Sequence, residues 1–107
     1  MNPKFKIQLS SIAYARSGDK GSSANIAVFA RTKKSYPLLK KKLTVEAVKK
    51  YFKSLGVTRV QRYEAPNLDA LNFVLHDVLA GGGSRSLRID AQGKTLGQAI
   101  LQMTFHP

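Results

Sequence analysis

Cysteine is absent from the 107 residues. That removes disulfides, thiolate metal sites and cysteine nucleophiles together. Histidine is nearly absent, with two copies, His76 and His106, far apart in the chain. Carboxylates and carbonyls alone make weak sites for a transition metal, so no metal is expected. Long apolar runs are missing too, and none approaches the roughly 20 residues that span a bilayer. Met1–Lys6 carries charge with no apolar stretch behind it, which does not read as a secretory signal. A cytoplasmic location is therefore the default expectation. Repeats, linkers and low-complexity tracts are lacking as well. A chain of this length that is 43% hydrophobic is expected to fold as one domain, 1–107, around one core.

Acidic residues are few: six against 18 Lys and Arg, for a net charge of +12. The imbalance is local, because 13 of the 18 basic residues and two of the six acidic ones lie in 1–53. The excess concentrates in Arg31–Lys53, with Lys33-Lys34 and Lys40-Lys41-Lys42. Such a patch attracts polyanions. Its lysine runs lack the arginine and aromatic interleaving of a base-reading surface, so a solvated face is the plainer reading and nucleic acid is not the expected partner.

What is present in quantity is polar chemistry in one short stretch, Ala15-Arg16-Ser17-Gly18-Asp19-Lys20-Gly21-Ser22-Ser23-Ala24-Asn25-Ile26. Phe5–Tyr14 before it reads as a strand whose alternation breaks near Ser10-Ser11, where a bulge would restore one inward face. Ala24–Arg31 after it is almost wholly apolar, as a strand buried on both faces would be. The stretch between them is expected to be a loop on rigid strands. Arg16 offers a planar fork to a carboxylate or phosphate, Lys20 offers a point charge, and Gly18 and Gly21 allow close backbone approach. An ion pair of Asp19 with Arg16 or Lys20 that merely orders the loop is the competing reading. Gly18-Asp-Lys-Gly21 lacks the spacing of a phosphate loop.

Thr32–Leu43, basic and holding Pro37, is expected to be a surface connection. Thr44 caps a helix whose apolar face is Val45, Val48, Phe52 and Leu55, ended by Gly56. Val57–Ala65 reads as a half-wet strand stopped by Pro66. Leu68, Leu71, Leu75, Val78 and Leu79 form a helical stripe, predicting a second helix that ends at Gly81-Gly82-Gly83. On its edge Asp69, Asn72 and His76 align, and His76 is the candidate general base. A boundary histidine bonded to Asn72 or Asp69 is the simpler alternative. Gly81–Ser86, with Arg85, could present an anion nest of backbone N–H groups, or it could be only a connector. Ser84–Asp90 and Thr95–Phe105 read as closing strands around an Ala91–Lys94 turn. The order β-β-α-β-α-β-β, with two helices on one face of a mostly antiparallel sheet, predicts an α+β sandwich of the ferredoxin-like plan.

The segments "AYARSGDKGSSANIAVFAR" and "LNFVLHDVLAGGGSRSLRIDAQGKTLGQAIL" resemble the small C-terminal module of the acyclic terpene utilisation (AtuA) family, here as a stand-alone chain. The resemblance is strongest at Ala13–Arg31 and Asn67–Leu101 and weak through the lysine-rich Lys33–Lys53. It implies a ferredoxin-like fold and a link to bacterial breakdown of branched terpenoid acids through coenzyme A thioesters. The resemblance does not extend to the large N-terminal domain of longer members, so its chemistry is not expected to transfer. The matching positions that could hold a ligand are Arg16, Ser17, Gly18, Asp19, Lys20, Gly21, Asn25, Asn72, Gly82, Gly83 and Arg85, with His76 as candidate catalyst. The leading expectation is an accessory module that holds an anion between the 15–26 and 81–86 loops. No resident cofactor is expected, and a coenzyme A thioester is the candidate ligand. Alternatives are a small acyl-thioester enzyme using His76, and a polyanion binder using Arg31–Lys53. A homo-oligomer and a larger AtuA-type or acyl-CoA enzyme subunit are the expected partners.

Overall fold

The structure is a computed structural model and describes residues 5–20, 23–78 and 96–107, with only the backbone at Asp19 and Lys20. Alternation in the first polar stretch builds the fold. In Ala13–Lys20 (β2), Ala13 is buried, Tyr14 exposed, Ala15 half-buried and Arg16 exposed. In Ser23–Ala30 (β3), Ala24, Ile26 and Val28 are buried while Asn25 is exposed. The two pair antiparallel from Ala13↔Ala30 to Lys20↔Ser23. The expected nine-residue loop is therefore mostly strand: its polar side chains are the wet phase of an alternating hairpin. The same alternation shows that β3 is buried on one face, not two.

The predicted second helix is also a strand. Arg59–Ala65 (β4) and Ala70–His76 (β5) form an antiparallel hairpin. A 3₁₀ turn at Pro66–Leu68 and Asp69 at φ 51° join them. Aspartate tolerates this left-handed region better than most residues. Leu71 and Leu75, four apart, fit either a helix or a strand. Phe73 decides: Leu71, Phe73 and Leu75 are all fully buried, which only a period of two provides. The sheet order is β2-β3-β5-β4, antiparallel throughout.

One layer of helices covers one face of this sheet. Tyr36–Lys42 (α1) arises where a surface connection was expected, with Pro37 in its first turn and Tyr36, Leu39 and the following Leu43 buried. Val45–Tyr51 (α2) follows the sequence reading closely. Thr44 Oγ1 accepts from Ala47 N at 3.0 Å, and Gly56 ends the unit at φ 81°. Leu96–Ile100 (α3) replaces the first half of the expected last strand. Leu39, Val48, Leu96 and Ile100 meet Ala13, Ile26, Val28, Val60, Leu71, Phe73 and Leu75 in one core.

The first expected strand is also divided. Ile7–Gln8 (β1) leads into a 3₁₀ turn at Leu9–Ser11, in place of the expected bulge. β1 pairs with Thr104–Phe105 (β6) in a separate two-stranded sheet. This is the expected α+β, ferredoxin-like sandwich, with an antiparallel sheet and its described helices on one side. The expected Ser84–Asp90 strand and the Gly81–Ser86 loop lie outside the described residues.

Candidate functional site

Among the described residues, helices lie on one face of the four-stranded sheet and none lies on the other. Register fixes what stands there. One row across the strands β2, β3, β5 and β4 is Arg16, Ala27, Asn72 and Tyr63. The next is Gly18, Asn25, Val74 and Gln61. At the far end Ser23, His76 and Arg59 align, with Lys20 opposite Ser23 in the pairing. Tyr14 and Phe29 stand beyond Arg16 and stack with ring centroids 5.1 Å apart.

Of the residues singled out from sequence, Arg16, Gly18, Asn25, Asn72 and His76 are brought together on this face. Asn25 Nδ2 donates to Asn72 Oδ1 at 3.4 Å. A methyl at Gly18 would lie 3.2 Å from Asn25 Oδ1, so glycine leaves the Asn25 amide its place. Ser17 is on the opposite phase and accepts from Gly97 N at 3.0 Å, tying α3 to the strand that carries Arg16. Asp19 and Lys20 belong to β2. Asp69 leaves the expected stripe: it shapes the β4–β5 turn, 3.8 Å from Lys33 Nζ, because a strand does not align it with Asn72 and His76. Gly21, Gly82, Gly83 and Arg85 lie outside the described residues.

His76 is held at both ring nitrogens. Nε2 stands 2.8 Å from Gln61 Oε1, and Nδ1 stands 3.4 Å from Ser23 Oγ. With the glutamine oriented this way, Nε2 carries the proton and donates to Oε1, leaving Nδ1 to accept from the Ser23 hydroxyl. Neither Ser23 nor Gln61 was singled out from sequence. Their relation to His76 spans 53 and 15 residues and exists only through strand pairing.

The charges are one-sided. The described side chains in these rows include no carboxylate, while Arg16 and Arg59 are both exposed. Arg16 has no hydrogen-bond or ion-pair partner among the described residues. Three of the described acids are engaged elsewhere: Glu64 with Arg62 at 2.8 Å, Asp69 near Lys33, and Asp77 as acceptor from Thr58 Oγ1. A sheet face whose described side chains include exposed arginines, amides and aromatic rings, and no carboxylate, suits an anion that also carries hydrogen-bonding or planar groups.

The Arg31–Lys53 stretch belongs to the other layer. Arg31 Nε donates to Ser10 O at 3.2 Å, and Lys40 Nζ lies 5.1 Å from the centre of the Tyr36 ring. Burial, then the nearby Glu64 charge, pushes the Tyr36 phenol above its ordinary range. Its hydroxyl donates to Ala70 O at 3.1 Å. No group of three or more metal-ligating side chains occurs among the described residues, and no described helix is long and apolar enough to cross a membrane.

A family model, the AtuA ferredoxin-like domain, matches residues 7–106. Comparison with curated proteins and with solved structures gave no match.

Proposed function

Because the chain belongs to the AtuA ferredoxin-like domain family over nearly its whole length, we propose that it is an accessory or binding module that holds an anionic ligand on the sheet face opposite its described helices. The observation that carries this is the gathering of Arg16, Asn25, Asn72 and His76, from two separate hairpins, onto one face whose described side chains include no carboxylate. Arg16 binds the charge, and the Asn25–Asn72 pair and His76 orient the ligand. Gly82, Gly83 and Arg85, which follow β5 within ten residues in the chain, are assigned to the same site. The proposed ligand is a coenzyme A thioester of a branched acid. Partners follow from that role: a larger AtuA-type or acyl-CoA enzyme subunit, and a second copy of the chain.

The test is a thermal-shift screen against coenzyme A, acyl-CoA thioesters, nucleotides and small carboxylates. A ligand at 100 times its Kd stabilises the fold by about 2.7 kcal/mol. The shift should largely vanish in Arg16→Ala. A shift that survives Arg16→Ala unchanged would place binding elsewhere.

A second reading rests on the Ser23–His76–Gln61 line. His76 Nδ1 would accept the Ser23 proton as Oγ attacks a thioester carbonyl, and the leaving thiolate would be protonated by the same imidazole. Release of free thiol from acetyl-CoA, abolished by both Ser23→Ala and His76→Ala, supports this reading. No release above the uncatalysed rate dismisses it.

A further inference from the structure

Among the aromatic residues of Arg31–Lys53, Tyr36 and Phe52 are buried, so the lysine runs do not supply an exposed stacking platform. The folded sheet does. Tyr14 is 48% exposed and Tyr63 is 51% exposed. They belong to the two edge strands β2 and β4 and stand on the same face as Arg16, Asn25, Asn72, Gln61 and Arg59. Phe29 backs Tyr14 as a near-parallel stack, with 11° between the rings. Large aromatic side chains left in water on a flat sheet, with amides between them and arginines beside them, form a stacking platform with phosphate contacts.

We infer that this face binds single-stranded nucleic acid. The inference rests on the reading of the face as an anion site and changes the class of ligand that occupies it. Three features favour a strand over a compact anion. The aromatic stations are spread: Tyr14 and Tyr63 are three strands and two residues apart, roughly 16 Å at ordinary sheet spacings. That is the reach of a short run of nucleotides, not of one carboxylate. Asn72 lies beside Tyr63 in the register and Asn25 beside it on the face, so donors and acceptors for base edges stand between the stations. The complement is electrostatic as well: a chain of net charge +12 presents here a face whose described side chains include no carboxylate. Arg16 and Arg59 flank the rows and meet phosphates, and Tyr14 and Tyr63 meet bases.

Fluorescence anisotropy of the full chain with labelled ten-nucleotide oligo(U) and oligo(dT) tests this. Two phosphate contacts give a log–log salt slope near −1.4, so affinity should fall about sevenfold between about 50 and about 200 mM salt. Tyr14→Ala and Tyr63→Ala should each weaken binding about fivefold or more, while Tyr63→Phe keeps it. Arg16→Ala should flatten the salt slope by about 0.7. A duplex of the same length should bind more weakly than the single strand. Circular dichroism of each variant confirms that the fold persists. Oligonucleotide affinity that ignores both tyrosines but falls in Lys41→Glu would overturn the inference in favour of general attraction to the helix layer. Coenzyme A binding that depends on Arg16, without oligonucleotide binding, would overturn it while leaving the earlier reading standing. Absence of both would remove both.

Discussion

Replacing Arg62 with alanine should be among the most damaging single changes at the surface of this protein. Arg62 is on β4 but on the phase of Val60, turned toward the helices. Its Nη1 donates to Lys40 O at 2.8 Å and to Leu43 O at 2.9 Å, the carbonyls that end α1. Its Nη2 reaches Glu64 Oε2 at 2.8 Å. The side chain is 20% exposed, against 47% for Glu64. A hydrogen bond to a charged group contributes about 1.5–3 kcal/mol. Two of them, reduced because water partly reaches the freed carbonyls, give an expected loss of about 2–4 kcal/mol. The ion pair itself is half in water and adds little, about 0–1 kcal/mol. Urea unfolding should show a lower midpoint at an unchanged slope, and Tm should fall by about 8–16 °C at about 4 °C per kcal/mol. Arg62→Lys, which keeps the charge but not the fork, should recover less than half. Glu64→Gln should cost under about 1 kcal/mol. If Arg62→Ala stays within about 0.5 kcal/mol of the parent, or Glu64→Gln is equally costly, the capping argument is wrong.

Other outcomes follow from the same contacts. The Tyr36 phenol has its pKa raised by burial, so the folded state keeps a proton that the unfolded chain loses. Stability should therefore be intact below about pH 10 and fall as pH rises through the raised value. Tyr36→Phe should reduce that alkaline loss while costing about 1 kcal/mol at neutral pH for the bond to Ala70 O, read by unfolding titrations from pH 8 to 11. In Gly97→Ala the new methyl would sit 3.3 Å from the backbone at Arg16 and Ser17. This overpacking should cost about 1–3 kcal/mol in urea unfolding and shift the amide resonances of β2. Thr44→Ala should destabilise by about 1 kcal/mol through loss of the α2 cap.

Local signals were legible in the sequence and non-local ones were not. Thr44 to Gly56 is one unit whose cap, stripe and stop are all within a dozen residues, and α2 forms there. Leu71 and Leu75 were ambiguous because a four-residue step returns to the same face in both periods. The fate of Phe73 settled the matter, and it depends on β3 and β4 lying on either side. Arg16 to Lys20 looked like a loop because their wet phase is polar, and what makes them a strand is the partner across the hairpin. Arg16, Asn25, Asn72 and His76 were legible as chemistry, but their company was not. Tyr63, Gln61 and Ser23 join them only through register. Arg62 gave no signal at all, since a basic residue in a half-wet strand points outward by default.

The β1–β6 clasp has a consequence of its own. Ile7 faces Phe105, Gln8 Nε2 bonds Gln102 Oε1 at 2.9 Å, and His106 Nδ1 meets Phe5 O at 2.8 Å. The path of the backbone therefore leaves the fold where it began. A host polypeptide running through this module would depart and return at a single point, and the body of the fold would hang from it like a bead on a loop. A fluorescent protein fused to either end would emerge from the same place, so energy-transfer distances from the two fusions to one label at Arg59→Cys should nearly coincide.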